Sequence, residues 1–266
     1  MAAQELLDIA RSVAEEAGEL AARLRREGVE VAATKSSPID IVTAADRAAE
    51  DLIRGRLAAL RPADGFLGEE SGGASGTSGL TWVVDPIDGT VNYLYGLPNW
   101  SVSIAVVEGE PDPGTWTALA GAVAAPMLGE LYTASAGGGA FVGDRRLHVR
   151  EAVPLDRALV ATGFHYMQDI RTNQARVAQP LLARVRDLRR AGGAAIDLAY
   201  VAAGRIDAYF EQGLNPWDQA AGALLVREAG GVVRGIDEAG PTYRMLIAGQ
   251  ADVVDELHAT LVELGA

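Results

Sequence analysis

The chain contains no cysteine. That single absence excludes disulfides, thiolate metal sites and cysteine nucleophiles together, and it fits a cytoplasmic protein. No apolar run approaches the roughly 20 residues that a membrane span needs. The N-terminal stretch carries Glu5 and Asp8 early rather than a basic segment followed by an apolar one, so no secretory leader is expected. Histidine is scarce. His148, His165 and His258 are scattered, match no ligand spacing and read as surface or packing residues. Positive charge is scarce as well, with no Lys or Arg between Arg61 and Arg145. A net charge of −13 and a pI of about 4.7 make a poor binder of nucleic acid or anionic membrane. Such a chain can still take up a phosphate through a metal, a helix N-terminus or a local basic side chain.

What is present is a chain of 266 residues, 49% of them hydrophobic, enough for one large domain or two closely packed halves. Leu6, Ala10, Val13, Ala17, Leu20 and Leu24 recur at spacings of three and four, predicting a helix over 4–27 that Gly28 ends. A second helix is expected over 44–60, with Ala48, Leu52, Ile53 and Leu57 inward. Phe66-Leu67 reads as a short strand, and the Ser/Gly-rich stretch 71–79 as a surface loop. Strands follow at 81–84, 101–107, 117–125, 130–134, 139–142 and 147–149, where Val102, Ile104 and Val106 suggest one buried face. Gly137-Gly138-Gly139 and Gly143-Asp144 suit hairpin turns. Beyond a strand at 158–162 the pattern becomes mixed: helices at 171–187, 193–203, 216–229 and 250–264, strands at 206–211, 231–234 and 244–248. Pro216 suits a first helical turn and Gly230 a helix end. An antiparallel middle followed by alternating helices and strands predicts layered sheets and helices of the α+β class. The two halves, 1–145 and 146–266, meet near 143–157 within one domain spanning 1–266.

Trp82-Val83-Val84-Asp85-Pro86-Ile87-Asp88-Gly89-Thr90-Val91-Asn92 is the most informative segment. Three apolar residues form the end of a buried strand, and Pro86 interrupts the ladder because it has no N–H. Two aspartates at that mouth are costly unless a cation neutralises them. Three other acidic segments accompany it: Asp40–Asp46, Gly68-Glu69-Glu70 and Trp217-Asp218. Each of these also has a plain reading. Thr43 with Asp46 makes a capping-box start of the second helix. Glu69 and Glu70 read equally as solvated turn acids, and Asp218 as a first-turn acid facing the helix dipole.

Taken jointly, these motifs resemble the inositol monophosphatase family of metal-dependent sugar phosphatases. The likeness continues through Ala194-Ala195, Tyr200–Gly204 and Trp217-Asp218 to Glu228-Ala229-Gly230-Gly231 and covers most of the chain. It implies a layered α-β-α-β-α sandwich and two or three Mg²⁺ ions per site. Glu69, Asp85 and the Ile87 carbonyl would hold one ion, and Asp85, Asp88 and Asp218 another. Hard oxygen donors suit Mg²⁺. The resemblance further implies hydrolysis of a phosphate monoester by an activated water, positioned by Glu69 and Thr90, with Asp46 orienting Thr90. Gly89 and Thr90 would receive the phosphate on backbone N–H groups, while Asp88, Ala194 and Glu211 would contact substrate hydroxyls. Lys35 and Gly192 are further candidates near the metal mouth. Two departures bear on substrate choice: Gly192-Gly193-Ala194 lacks a hydroxyl common in the family, and Gly163-Phe164-His165 lacks a common proline. Inositol monophosphate is the expected substrate. Histidinol phosphate, fructose 1,6-bisphosphate and a phosphoadenosine nucleotide are alternatives on the same scaffold, and a non-catalytic regulatory module is the alternative of another class. The family also implies inhibition by Li⁺ and a homodimer.

Overall fold

The computed structural model describes residues 2–28, 31–34, 41–237 and 240–266. In chain order the elements begin with α1 (Ala2–Glu27), the short strands β1 (Val31–Thr34) and β2 (Ile41–Thr43), and α2 (Ala44–Leu60). Then come β3 (Gly65–Gly68), β4 (Gly72–Ala74), β5 (Leu80–Asp88), α3 (Thr90–Tyr95), β6 (Ser101–Glu108), β7 (Thr117–Ala125), β8 (Glu130–Ser135), β9 (Gly139–Val142) and β10 (Arg145–Arg146). The second half holds β11 (Leu159–Thr162), α4 (Gln168–Leu182), β12 (Asp187–Arg189), α5 (Ala194–Ala202), β13 (Ala208–Glu211), α6 (Pro216–Glu228), β14 (Val232–Arg234), β15 (Leu246–Gly249) and α7 (Ala251–Glu263).

The first sheet has eight strands in the order β10-β9-β8-β7-β6-β5-β3-β4, and the second has five in the order β12-β11-β13-β15-β14. Every pairing in the first is antiparallel except β3 with β5. Leu6, Ala10 and Val13 of α1 and Ile53 and Leu57 of α2 pack on Trp82, Val84, Val102 and Ile104, which form one face of that sheet. The opposite face, through Val83, Ala105, Val107 and Val123, packs on α5 and α6, and these helices pack in turn on Ala161, Tyr209 and Ala248 of the second sheet. Helices α4 and α7 cover the far side of the second sheet. The result is the expected α-β-α-β-α layering, an α+β fold. Both faces of β6 are buried, so Ser103 and Ala105 are as enclosed as Val102 and Ile104. Burial on both sides exceeds what the alternation by itself indicates.

Several local expectations needed correction. The helix foreseen over 171–187 ends at Leu182, two residues past Pro180, and Asp187–Arg189 instead pairs in parallel with β11 as an edge strand. The Ser/Gly-rich loop contains β4, a fully exposed edge strand paired with β3. The strand foreseen at 147–149 lies earlier, at Arg145–Arg146. β1 and β2, which flank residues 35–40, pair as an antiparallel ribbon with no clear pattern in the sequence. Glu228 ties the halves together, its carboxylate accepting from the N–H groups of Gly137 and Gly139 at 2.8 Å each.

Candidate active site

Parallel pairing of β3 with β5 sets Gly68 opposite Val84, so Glu69 and Asp85 emerge side by side at neighbouring strand ends. The Glu69 N–H donates to the Val84 carbonyl at 3.2 Å. The β5–β6 register shifts between Asp85 and Asp88, where Pro86 interrupts the ladder. Asp85 Oδ1 accepts from the Ile87 N–H at 3.0 Å, an Asx-type turn that swings the chain so that Asp88 faces the same space. Asp88 is held from the other half of the molecule. Its two carboxylate oxygens accept from the N–H groups of Ala194 (3.0 Å) and Ala195 (2.9 Å) at the start of α5, where the helix dipole favours an anion. Asp218 is the third residue of α6 and accepts from the Asn215 N–H at 2.7 Å. Its capping reading therefore stands, and its carboxylate also reaches the site. One oxygen each from Asp85, Asp88 and Asp218 lies within 4.8 Å of the others.

Burial pushes Asp85 well above its ordinary 3.8, and the charges of Glu69, Asp88 and Asp218 add to the shift. Asp218 is raised well above its ordinary value by burial and then by Glu69 and Asp88. Asp88 is pushed up to about 6 by burial, against the opposing pull of the α5 N–H groups. Among the described residues no Lys or Arg forms an ion pair with these three. Clustered, sheltered carboxylates of this kind carry mutual repulsion that a bound cation removes. An all-oxygen donor set fits a hard divalent ion and offers nothing to a thiophilic one.

Behind the cluster, the Thr90 hydroxyl lies 3.1 Å from the Ile87 carbonyl and 3.3 Å from Asp46 Oδ1. Asp46 is buried, and its other oxygen accepts from the Thr43 N–H at 2.8 Å and from the Thr43 hydroxyl. Burial pushes Asp46 up to about 6, opposed by those Thr43 bonds. The capping box on α2 thus also aims Asp46 at Thr90. Gly89, with φ of +86°, makes the left-handed turn from β5 into α3 that an L side chain would resist.

These groups line one wall of a cavity of about 380 Å³, together with Gly192 and Ala194. Asp46 sits behind that wall, and Lys35 lies outside the described residues. Glu211, at the end of β13, faces the same cavity and is pushed up to about 7 by burial, opposed by the Tyr209 hydroxyl at 2.5 Å and by Arg190. Arg190 is exposed at the cavity and forms no ion pair with another described residue. Nothing in the run Arg189-Arg190 marks it for this place. Asp197, one turn into α5, is also raised well above its ordinary value, first by burial and then by Glu211 and Asp88.

His165 is not merely a packing residue, because it lines the cavity. Its Nδ1 accepts from the Met167 N–H at 3.0 Å, so the ring proton resides on Nε2 and is donated to the Tyr243 hydroxyl at 2.7 Å. His258 is elsewhere, 2.9 Å from the Ile236 carbonyl, and His148 is exposed and away from the cavity.

Comparison with known proteins gives a consistent picture. The model of the inositol monophosphatase family matches residues 2–264. The chain is 45% identical over 237 residues to inositol-1-monophosphatase SuhB of Mycobacterium tuberculosis H37Rv, covering 85% of this chain and 80% of that protein. It is 40% identical over 262 residues to the Nus factor SuhB of Escherichia coli K12, covering 96% and 95%. Among solved structures, the extragenic suppressor protein SuhB of Bartonella henselae superposes with a TM-score of 0.88 at 37% identity, over 97% of this chain and 98% of that one. An IMPase of Thermotoga maritima gives 0.86 at 31% identity, with 97% of each chain covered.

Proposed function

Because the chain belongs to the inositol monophosphatase family and is a phosphatase, we propose that it hydrolyses inositol monophosphate to inositol and phosphate with Mg²⁺ at the acidic cluster. The observation that carries this reading is the convergence of Asp85, Asp88 and Asp218, from two segments 130 residues apart, on one cavity, with no ion pair to a Lys or Arg among the described residues.

Glu69, Asp85 and the Ile87 carbonyl would hold one ion, Asp85, Asp88 and Asp218 would hold a second, and Glu69 would suit a weaker third. Bound Mg²⁺ supplies a water of lowered pKa and neutralises phosphoryl charge. The chain's own groups do the rest. The Thr90 hydroxyl has one proton and two acceptors within reach. If the Ile87 carbonyl were taken up by the metal, that proton would go to Asp46, and the Thr90 lone pairs would stay free to accept from the attacking water. Glu69, on the adjacent strand end, is the second acceptor for that water. The N–H groups of Gly89 and Thr90, at the start of α3, receive the phosphate. Glu211 and the outer side of Asp88, with the backbone at Ala194, meet the hydroxyls of the leaving polyol. Gly192 lines the same mouth, and the family resemblance makes Lys35 a further candidate contact.

The two halves, 1–145 and 146–266, work as one unit, since Asp218 and the α5 N–H groups come from the second and the strand-end acids from the first. The protein acts as a homodimer in the cytoplasm, without nucleic acid or membrane as partner, and Li⁺ inhibits it. Among the described residues no helix is long and apolar enough to cross a membrane. A second reading is favoured by the relatives named Nus factor, a regulatory rather than an enzymatic name. An intact acidic cluster supports catalysis over a purely regulatory role, because idle buried carboxylates cost stability.

The deciding measurement is kcat/KM on a panel of inositol 1-phosphate, histidinol phosphate, fructose 1,6-bisphosphate and adenosine 3′,5′-bisphosphate, in Mg²⁺ with and without millimolar Li⁺. Inositol 1-phosphate is expected to rank first and to lose turnover in Li⁺. A large preference for another ester overturns the substrate assignment, and no Mg²⁺-dependent release from any ester overturns the catalytic one.

A further inference from the structure

One buried carboxylate lies outside the cavity and has no part in the chemistry above. Glu50 is 2% exposed and sits on the inward stripe of α2, one turn after Asp46 and one turn before Ile53. An apolar residue there would serve helix packing, whereas a buried carboxylate is costly unless its oxygens are satisfied. Both oxygens point at the turn that follows β3. Oε2 accepts from the Glu70 N–H at 2.8 Å, and Oε1 accepts from the Ser71 hydroxyl. Arg54, one turn further along α2, donates to Ser71 Oγ while its guanidinium lies 4.4 Å from the centre of the Phe66 ring. Gly68 completes the arrangement, because a Cβ at that position would lie 2.5 Å from Glu50 Oε2. Only glycine lets the carboxylate come so close to the strand.

The consequence falls on Glu69. Its own N–H is held by the Val84 carbonyl, and the next N–H, that of Glu70, is held by Glu50. The peptide groups on both sides of Glu69 are therefore clamped, one by β5 and the other by α2. That restrains its backbone dihedrals and with them the direction in which its Cα–Cβ bond leaves the chain. We propose that Glu50 is a positioning residue that holds Glu69 in the orientation in which it serves the metal. The inference rests on the metal-binding reading of Glu69 given above. Groups that orient metal ligands from behind typically contribute ten- to a hundredfold to metal affinity.

The test uses the full chain and two readouts: the Mg²⁺ concentration giving half the maximal rise in Tm without substrate, and the Mg²⁺ concentration giving half-maximal turnover. Glu50→Asp keeps the charge but loses the reach to Glu70. It is expected to raise both midpoints about tenfold and to lower Tm in EDTA, because a buried oxygen loses its donor, with KM for the ester at saturating Mg²⁺ nearly unchanged. Glu50→Gln keeps an acceptor at the right length and is expected to restore most of the affinity, with a shift below about threefold. Unchanged Mg²⁺ midpoints in Glu50→Asp, or a drop in EDTA Tm as its only effect, overturn the proposal in favour of a purely structural carboxylate. A Glu50→Gln shift as large as that of Glu50→Asp overturns it in favour of charge alone. Should Glu50→Asp fail to fold, Ser71→Ala decides, since it removes one restraint on the Glu50 carboxylate from an exposed position; its Mg²⁺ midpoints must rise. Glu69→Gln separates the two levels. If it retains Mg²⁺-dependent stabilisation and turnover, the metal reading itself fails. If it loses both while Glu50→Asp matches wild type, only the positioning role fails.

Discussion

The cavity has two unlike walls. One is made of strand ends and helix starts: Asp85 and Asp88 at the end of β5, Glu69 after β3, Asp218 in the first turn of α6, each with a backbone hydrogen bond holding it or the residue itself. The other is made largely of loops: Gly163 to Met167 after β11, Arg190 after β12, and Tyr243 before β15. The first wall is sheltered and uniformly acidic, whereas the second carries a cation, an imidazole and an exposed phenol. The difference teaches how labour divides in this fold. Chemistry that needs charges held within tenths of an ångström is built on regular elements, and the groups that meet the variable part of a substrate are built on segments that change at little cost to the core.

That division breaks if the acidic wall proves dispensable. Asp88→Asn and Asp218→Asn should each lower Mg²⁺-dependent phosphate release by a factor of at least about 10²–10³, by analogy with the loss of one preorganised charge-stabilising group. Each variant should remain folded by circular dichroism. Turnover near wild type in both would place the chemistry elsewhere.

Stability in the absence of metal is the next largest effect. Asp46 and Asp88 are raised from an ordinary 3.8 to about 6, and Glu211 from 4.5 to about 7. A carboxyl with a raised folded-state pKa keeps its proton in the native protein after the unfolded chain has released it. The native state is therefore favoured at low pH and loses that advantage as pH rises, here between about pH 4 and 7. In EDTA, Asp88→Asn should gain on wild type between about pH 4 and 6 by on the order of 2 kcal/mol, read from denaturant unfolding at each pH. Saturating Mg²⁺ should cancel the gain. A difference that does not vary with pH would mean that the carboxylates are not under mutual strain.

The groups that face the substrate, Glu211 at the end of β13 and the loop residues, should answer differently. Glu211→Gln is expected to raise KM for a polyol phosphate about tenfold, the loss of one hydrogen bond to a charged group, while kcat stays within a few-fold. A fall in kcat with KM constant would move Glu211 into the reacting set. Smallest of all, Tyr243→Phe should leave inositol 1-phosphate turnover within about threefold, because the lost hydrogen bond to His165 is exposed, and should alter the ranking of the ester panel. An unchanged ranking would deny the His165–Tyr243 lip a part in selectivity.

Legibility followed the same divide. The helix of 44–60 and the strand at 81–84 that leads into Asp85 could be read because period, proline and cap residues are local signals. So could the segments carrying Glu69, Asp85, Asp88, Thr90 and Asp218, which the structure gathers on one wall. The helix 171–187 was over-extended because Asp187–Arg189 becomes strand only by pairing with β11, which no local period announces. The segment Gly163-Phe164-His165 was legible as bearing on substrate choice, but the His165 ring read as packing because its partner Tyr243 is 78 residues away. Glu50 was visible in principle, as an acid on the same stripe as Asp46, Ile53 and Leu57, but its target, the Glu70 N–H, is not.

By itself, then, the sequence determined which short segments bear oxygen donors, where strands stop and helices start, and that no thiol, and no basic residue between Arg61 and Arg145, would compete for the site. These follow from side-chain chemistry and backbone preference over a few residues. Only the tertiary structure decided that Asp88 is held by α5, that Glu211 and Arg190 share its cavity, and that α2 reaches across to the turn holding Glu69. Such contacts join residues from about 20 to more than 100 positions apart, and they exist because sheets and helices pack as rigid layers, a property of the whole fold rather than of any segment.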